Sequence, residues 1–285
     1  MKKETDRPRE RADIRLLAMD LDGTLLDSKK RVPPSAVRLI RAAAETGKQV
    51  VFATGRGKAE MDQIRARLPF VRYGILESGA VVYDFFAGRA LMKVPLTIEK
   101  VEACLEACCL EDAMPQFLTE EESVVSPRQL FRMAEYHHGG SQAMFERVCT
   151  RAEDMGAYAA AHPEGIVKVC MYHRSLESRE RTRQRLRSLG MELKDSEETS
   201  LEATERNVTK GAALTWLCER LGVPTSRCAA CGDGANDLEL LRTAGLAIAM
   251  GNGAAEVRSA ADEVVPGNDE EGQVRAILLA FPELI

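Results

Sequence analysis

Two aspartates near the start of the chain could do chemistry together. Asp20 and Asp22 lie two positions apart at the end of an apolar run, so strand alternation would point both side chains to one face. Two carboxylates in one small site do not both ionise readily unless a cation lies between them or one keeps its proton as an acid. Either arrangement supports catalysis, although Asp22 and Gly23 could also form only a turn.

A second acidic pair lies in the run from Gly232 to Asp237. Asp233 ends another apolar run and Asp237 follows four residues later, a spacing that places both on one face of a helix. Hard carboxylate oxygens separated by glycine suit Mg²⁺, which keeps several waters and takes one or two carboxylates. The EF-hand calcium pattern fits neither acidic pair.

Two further positions suit an anion. Thr54 and Gly55 follow an apolar run and offer a hydroxyl and backbone N–H groups to a phosphate oxygen, although Thr54 could equally be an ordinary helix cap. Lys210 opens another helix and is either a point charge on the same anion or a solvated lysine. The dinucleotide and P-loop signatures are absent.

The elements that must position these residues alternate between short apolar runs and helical segments, which is typical of a parallel sheet covered by helices. The predicted core strands are 14–19, 49–53, 73–76, 227–231 and 246–249. The predicted core helices are 34–46, 58–68, 209–221, one from 235 and one near 273–279. Each polar motif follows a strand, at the edge where open α/β sheets bind ligands.

Residues 85–203 differ in character and predict a separate α+β domain inserted into the first. The predicted elements of the insert are helices 97–111, 141–155 and 175–189 and strands 116–119 and 166–172. The core then comprises residues 14–84 and 204–285, and a solvated tail, 1–13, precedes it.

Composition restricts the function classes. The 285 residues predict about two domains, and 45% hydrophobic with 29% charged residues is an ordinary globular balance. A net charge of −5 provides no global field for nucleic acid or an anionic membrane, so an anionic substrate must be held locally. The longest uncharged stretch, Thr243 to Ala255, is too short to span a bilayer.

The N-terminal segment and the cysteines indicate a cytoplasmic protein. Residues 1–15 are highly charged and lack the apolar core of a secretory signal. The eight cysteines are therefore expected to be reduced and mostly buried. Cys228 and Cys231 form a CxxC motif, which we interpret as buried strand residues because nothing completes a metal site.

Taken in order, four motifs resemble those of the haloacid dehalogenase (HAD) superfamily. They are Asp20-x-Asp22-Gly-Thr, Thr54-Gly-Arg, Lys210-Gly and Gly232-Asp233-x-x-Asn236-Asp237. The large insert and the run Ala249-Met250-Gly251-Asn252 are similar to the Cof-type phosphatases, which carry an α/β cap. The resemblance implies a HAD-like, Rossmann-like core interrupted by a cap that sets specificity.

The resemblance also implies a role for each motif residue. Asp20 would attack phosphorus and form an aspartyl-phosphate, and Asp22 would protonate the leaving oxygen and then activate water. Thr54, Gly55, Lys210 and Asn236 would hold the phosphoryl group. Mg²⁺ would bind Asp20, the backbone carbonyl of Asp22 and Asp233, with Asp237 positioning its waters.

One motif departs from the family pattern, and the cap residues are harder to assign. Ser78 stands where many relatives have asparagine, which puts the orientation of the substrate or cap in doubt. His137 and His138 could contact a substrate hydroxyl, but paired histidines in a loop are more often solvated, and we expect the latter. Lys168 is the stronger cap candidate, because a charge between Val167 and Val169 must point away from the apolar face, toward either a substrate or solvent.

The expected function is therefore a Mg²⁺-dependent phosphatase of a small phosphorylated metabolite. The resemblance favours a sugar phosphate, with flavin-related phosphates and pyridoxal phosphate as alternatives. The other hypotheses are a phosphomutase or phosphotransferase, and a sensor that binds a phosphorylated ligand without turnover. The sequence predicts no particular oligomeric state. A nucleophile together with an acid/base argues against the sensor.

Overall fold

A computed structural model describes residues 13–284. The predicted tail, residues 1–13, lies outside this range except for Asp13, whose carboxylate pairs with Lys48 and Arg227. The described chain forms an eight-stranded sheet and a six-stranded sheet. The second sheet is built from one continuous stretch inserted into the first, as the sequence predicts.

The first segment of the chain supplies five strands and two helices of the larger sheet's domain. They are β1 (Leu16–Met19), α1 (Pro34–Glu45), β2 (Gln49–Ala53), α2 (Asp62–Arg67), β3 (Tyr73–Leu76), β4 (Val81–Asp84) and β5 (Arg89–Lys93). A 3₁₀ turn at Lys58–Glu60 and another at Glu77–Gly79 connect these elements. The predicted helix 58–68 is thus split into a 3₁₀ turn and α2.

The inserted segment supplies the second sheet and its helices. They are α3 (Ile98–Leu110), β6 (Met114–Thr119), β7 (Ser123–Val125), α4 (Pro127–Leu130), α5 (Gln142–Val148), β8 (Cys149–Arg151), α6 (Met155–Ala161), β9 (Ile166–Tyr172), α7 (Leu176–Leu186), β10 (Met191–Glu197) and β11 (Ser200–Glu205). The predicted helix 141–155 is wrong in its second half. There the chain forms β8, which pairs in parallel with β7.

The last segment returns to the larger sheet. Its elements are α8 (Lys210–Leu221), β12 (Cys228–Gly232), α9 (Leu238–Thr243), β13 (Leu246–Met250), α10 (Ala255–Ala260), β14 (Glu263–Val265) and α11 (Gly272–Ala280). A 3₁₀ turn, Ala235–Asp237, replaces the predicted helix start at residue 235.

Strand register brings the motifs together. The order in the larger sheet is β14-β13-β12-β1-β2-β3-β4-β5, parallel from β14 to β3. Met19 of β1 lies opposite Phe52 of β2 and Cys231 of β12, so the three strands end at one level. The residues that follow them, including Asp20, Thr54 and Asp233, therefore meet at one edge of the sheet.

The sequence pattern did not reveal the hairpin at the end of this sheet. Strands β4 and β5 are antiparallel, and β5 extends the larger sheet beyond residue 84. The predicted insert of 85–203 therefore includes one strand of the first sheet. The strand is only partly buried, so its residues lack the apolar run that marks the central strands.

Apolar clusters cover both faces of the larger sheet. Leu17 and Met19 pack on one face with α1 and α11, and Leu16 and Ala18 pack on the other with α8 and α9. Burial on both faces explains why the central strands read as continuous apolar runs.

The CxxC motif divides between these two clusters. Cys228 lies within 3.2 Å of the Cys218 sulfur on one face, and Cys231 contacts Met250 on the other. The two thiols therefore cannot share a metal ion, which agrees with their interpretation as buried strand residues. All eight cysteines lie within residues 13–284 as free thiols, six of them buried.

The second sheet has the order β10-β11-β9-β6-β7-β8. One face packs on α3 and α6 through an apolar cluster. The other face presents polar side chains to the larger sheet's domain, among them Gln116, Lys168 and Glu202. None of the helices in residues 13–284 has the length and apolar character needed to cross a membrane.

Gly79 fixes the approach of the first segment to the helix that carries Lys210. Its φ is +106°, and a Cβ there would lie 2.3 Å from the Thr209 carbonyl oxygen. Gly47 is a matched control because its φ is +80° but nothing lies within 4 Å of its Cβ position.

We expect Gly79→Ala to destabilise the protein more than Gly47→Ala. The control carries only left-handed backbone strain, about 1–2 kcal/mol, whereas Gly79→Ala also forces two backbone segments apart. Urea unfolding of both variants measures the difference. Equal free energies of unfolding would show that the close approach does not constrain the fold.

Candidate active site

Asp20 is the buried centre of the site. Its backbone N–H donates to the Cys231 carbonyl, which holds the residue at the end of β1. Its Oδ1 accepts a hydrogen bond of 2.6 Å from Lys210 Nζ. Burial raises the pKa of Asp20 well above its usual range, and the carboxylates of Asp237 and Asp233 add to this effect while Lys210 opposes it.

Lys210 joins two carboxylates. Its Nζ also donates to Asp237 Oδ1 at 2.6 Å, and its side chain is 1% exposed. An ammonium has three donors, so one remains for another acceptor. Both carboxylates raise its pKa despite burial, so Lys210 is a fixed positive charge behind Asp20.

Asp237 shapes the turn that carries the second acidic motif. It is fully buried, and its Oδ2 accepts the backbone N–H groups of Asp233 at 3.1 Å and Gly234 at 3.0 Å. Gly232 lies so close that a Cβ there would be 2.5 Å from the Asp237 side chain. Asp237 therefore orients Asp233 as well as contributing charge.

Asp233 completes a group of three carboxylates. Its Oδ1 accepts a hydrogen bond of 2.9 Å from Thr24 Oγ1. One oxygen from each of Asp20, Asp233 and Asp237 lies within 4.8 Å of the others. Burial raises the pKa of Asp233 to about 6, and Asp237 adds to the shift. Crowded hard oxygen donors of this kind fit a small divalent cation such as Mg²⁺.

Asp22 lies apart from that group. Arg56 donates two hydrogen bonds of 2.7 and 2.8 Å to its carboxylate, and Lys30 donates a third of 2.6 Å. Burial opposes its ionisation, but these cations outweigh it and lower the pKa of Asp22 to about 2. The side chain that the sequence pairs with Asp20 is thus bound to two cations, and its backbone role toward a metal stays a prediction.

The predicted phosphate loop follows β2 without starting a helix directly. Thr54 is buried, and its Oγ1 accepts the backbone N–H of Arg56 at 3.1 Å. Thr54, Gly55 and Asn236 line the same cavity as Asp20 and Asp233. Lys210 and Asp237 lie behind this surface, so the four predicted phosphate-binding positions and both acidic pairs converge at one edge of the sheet.

The cavity lies between the two sheets and has a volume of about 1000 Å³. The second sheet closes it with side chains from alternate positions of its strands, Gln116, Leu118, Lys168, Cys170, Tyr172 and Glu202. The insert therefore covers the carboxylates, as expected of a cap.

The interpretation of His138 as a solvated loop residue is wrong. Its ring stacks on Tyr172 with centroids 4.5 Å apart, and its Nδ1 lies 3.0 Å from Glu197 Oε2. Its side chain is only 11% exposed and lines the cavity. His137, by contrast, is exposed and bonds to the Arg174 carbonyl. The pairing with Tyr172 comes from a distant strand, which local sequence does not reveal.

Sequence reasoning also missed the cations that surround Asp22. Arg56 lies within a recognised motif but received no role, and Lys30 lies in the loop after that motif. Thr24 is likewise part of the Asp20 motif, and its hydroxyl reaches across to Asp233. The positions of Arg56 and Thr24 within the motifs are the sequence signal that could have indicated a role for them at the site.

A capped α/β enzyme with a buried carboxylate site is thus defined by the fold and the side chains. Residues 17–277 match the family of haloacid dehalogenase-like hydrolases. The chain therefore belongs to that family of hydrolases, and the family predicted from the motifs is confirmed.

Two curated relatives are similar over most of the chain. An HMP-PP phosphatase of Serratia proteamaculans (strain 568) is 30% identical over 247 residues, which cover 86% of each protein. The pyridoxal phosphate phosphatase YbhA of Escherichia coli (strain K12) is 26% identical, over 89% of this chain and 94% of YbhA.

Solved structures share the fold. A haloacid dehalogenase-like hydrolase from Bacteroides thetaiotaomicron superposes with a TM-score of 0.82 at 23% identity, covering 94% of this chain and all of that one. The HAD subclass IIB sugar phosphatase BT4131 superposes with a TM-score of 0.78 at 22% identity, over 95% of this chain and 100% of that one. The α/β core with an inserted second sheet is therefore confirmed.

The raised pKa of Asp233 predicts a pH dependence of stability in metal-free protein. The folded carboxyl, with a pKa of about 6, holds a proton that the unfolded chain has released above its ordinary value of 3.8. Stability therefore falls as pH rises between these values. Asp22 acts oppositely: its contribution is present above 3.8 and is lost as pH falls toward its folded pKa of about 2.

Urea unfolding in EDTA across this pH range measures the effect. We expect Asp233→Asn to reduce the fall, because the amide keeps an acceptor for Thr24 and does not titrate, while the raised pKa of Asp20 accounts for the fall that remains. Asp62→Asn, at an exposed position of α2, is the control and should keep the wild-type profile. A wild-type slope in Asp233→Asn would contradict the assignment.

Proposed function

We propose that the protein is a Mg²⁺-dependent phosphatase that hydrolyses a small phosphorylated metabolite through an aspartyl-phosphate on Asp20. One observation carries the proposal. Asp20 lies in the cavity wall with a fixed cation, Lys210, on one side and a second carboxylate, Asp233, on the other. This is a nucleophile in a setting that compensates negative charge.

In the first step an oxygen of Asp20 bonds to phosphorus as the bond to the leaving oxygen breaks. Asp22 gives its proton to that oxygen, and the leaving group departs as an alcohol. In the second step water attacks the aspartyl-phosphate while Asp22 takes back a proton. Inorganic phosphate leaves and Asp20 is restored, so the cycle balances.

Proton donation requires a change around Asp22. The carboxylate bonded to Arg56 and Lys30 is ionised, and those cations hold its pKa low. A phosphate entering the cavity competes for both cations, since each lies in the cavity wall. Release of Asp22 from them raises its pKa, which suits it to act as an acid.

The residues present fit a divalent cation. Asp20, Asp233 and the Asp22 backbone carbonyl would hold it, with Asp237 behind them. When bound, Mg²⁺ would offset the charge that accumulates between an anionic nucleophile and an anionic phosphoryl group. Thr54, Gly55, Lys210 and Asn236 would orient the phosphoryl oxygens.

The leaving group would lie against the second sheet. Sugar phosphates remain the favoured class from the motif resemblance. The names of two relatives, an HMP-PP phosphatase and a pyridoxal phosphate phosphatase, add phosphorylated heterocycles to the candidates. The His138 and Tyr172 rings in the cavity wall give a flat ring a contact surface.

Phosphate release from a panel of these compounds tests the proposal. We expect Mg²⁺-dependent release that EDTA abolishes, and a loss of at least about 10³-fold in kcat for Asp20→Asn, because an amide is a poor nucleophile. Asp62→Asn makes the same charge change at an exposed site and should retain full activity. Preserved turnover in Asp20→Asn would reject the nucleophile. Transfer of the phosphoryl group to an added alcohol in preference to water would instead identify a transferase.

Removal of the acid/base should separate the two steps. In Asp22→Asn we expect Asp20 to be phosphorylated slowly and the covalent intermediate to accumulate, because the attacking water lacks its base. Intact-protein mass spectrometry after mixing with an active substrate measures the added phosphoryl group. Asp20→Asn/Asp22→Asn should carry none. An unmodified Asp22→Asn protein with wild-type turnover would contradict the role of Asp22.

A further inference from the structure

Lys168 is a buried cation that crosses from the second sheet to the first. It lies on β9 between Val167 and Val169, and its side chain is 1% exposed. Its Nζ lies 2.7 Å from Glu202 Oε2 on β11, 2.9 Å from the Gly55 carbonyl oxygen and 3.1 Å from Ser78 Oγ. The side chain thus points away from the cap's apolar face, as the sequence indicates, and into the core's phosphate loop.

These contacts use the whole hydrogen-bonding capacity of Lys168. An ammonium has three donors, and three acceptors lie within reach of it. Although Lys168 lines the cavity, it has no free donor for a substrate. Its chemistry is therefore directed at the protein.

The Gly55 carbonyl belongs to the peptide plane that also contains the Arg56 N–H. Because that plane is rigid, fixing its oxygen fixes the direction of its N–H. Lys168 holds the oxygen, and the N–H donates to Thr54 Oγ1 at 3.1 Å. The Thr54 hydroxyl accepts this hydrogen bond with one lone pair, so its own proton stays available to an acceptor in the cavity that Thr54 lines.

Ser78 holds the same threonine from the other side. Its backbone N–H donates to the Thr54 carbonyl at 3.0 Å, and its Oγ donates to Glu202 Oε2 at 2.8 Å while accepting from Lys168. The φ of Ser78 is +61°, a conformation that asparagine adopts more readily than serine. A short hydroxyl that serves both cap residues is a reason to keep serine at this strained position.

We propose that Lys168, with Glu202, is a positioning residue that aligns the Thr54 hydroxyl through the Gly55–Arg56 peptide. Packing of the second sheet against the core and ordering of the phosphate loop are then coupled, because both depend on the contacts of Lys168. This inference rests on the proposed function. The ion pair between Lys93 of β5 and Glu120 also joins the sheets, with its charged atoms 3.6 Å apart, but is more exposed and does not include the loop residues, so it is a control for an inter-sheet ion pair as such.

The test combines kinetics with a binding measurement. Lys168→Met should lower kcat by about 10 to 10²-fold, the scale expected when a positioned group is displaced by a fraction of an ångström to one ångström. The loss should be equal for acetyl phosphate, with its small leaving group, and for the larger substrates of the panel. The dissociation constant of inorganic phosphate, measured by calorimetry, should rise in the same variant. Lys93→Met should change neither quantity.

A second variant distinguishes a positioning role from a loss of stability. Lys168→Met leaves the partly buried Glu202 carboxylate without its cation, whereas Lys168→Met/Glu202→Gln removes both charges. We expect the double variant to recover the wild-type melting temperature while both the slow turnover and the weak phosphate binding persist.

Other outcomes overturn the inference. A loss that differs between substrates with unchanged phosphate binding would mean that Lys168 contacts the leaving group. An equal loss in Lys93→Met, or recovery of activity in the double variant, would reduce its role to general stability. Wild-type protein that binds phosphate without turnover would defeat the proposed function alone, since the effect of Lys168→Met on binding would still decide the inference. Wild-type protein that does not bind phosphate would defeat both.

Discussion

The repulsion among the carboxylates of Asp20, Asp233 and Asp237 is the constraint on which the rest of the structure depends. Three acidic groups within 4.8 Å of one another in a largely buried place are unfavourable unless positive charge compensates them. Lys210 supplies one charge from within the protein, at 2.6 Å from two of the three. The remaining deficit of positive charge fits a small divalent cation.

Both sheets contribute contacts that hold this arrangement. Parallel strands of equal register bring Asp20, Thr54 and Asp233 to one level, and Asp237 ties its turn through two backbone amides. The second sheet adds a wall and a buried cation, Lys168, that reaches back to the loop after β2. The second sheet and the edge that carries the carboxylates are thus joined by directional polar contacts, which tolerate little displacement.

Sequence reasoning identified what is local and repeated, and it missed what depends on distant partners. Apolar runs followed by acidic residues located Asp20 and Asp233, because burial on both faces leaves an unmistakable pattern. Alternation showed which way Lys168 points but not that another domain covers it. Three other features depend on contacts between separate segments, for which neighbouring residues carry no signal. They are the pairing of the partly buried β5, the stacking of His138 on Tyr172 and the hydrogen bonds from Arg56 to Asp22.

The interrupted topology has a consequence for synthesis. The hydrogen bond from Thr24 to Asp233 joins residues 209 positions apart, and β1 stays unpaired on one edge until β12 emerges from the ribosome. The second sheet, continuous from Met114 to Glu205, is complete before that. A nascent or truncated chain that ends before Cys228 therefore lacks Asp233 and exposes the edge of a buried strand, which makes it prone to aggregate.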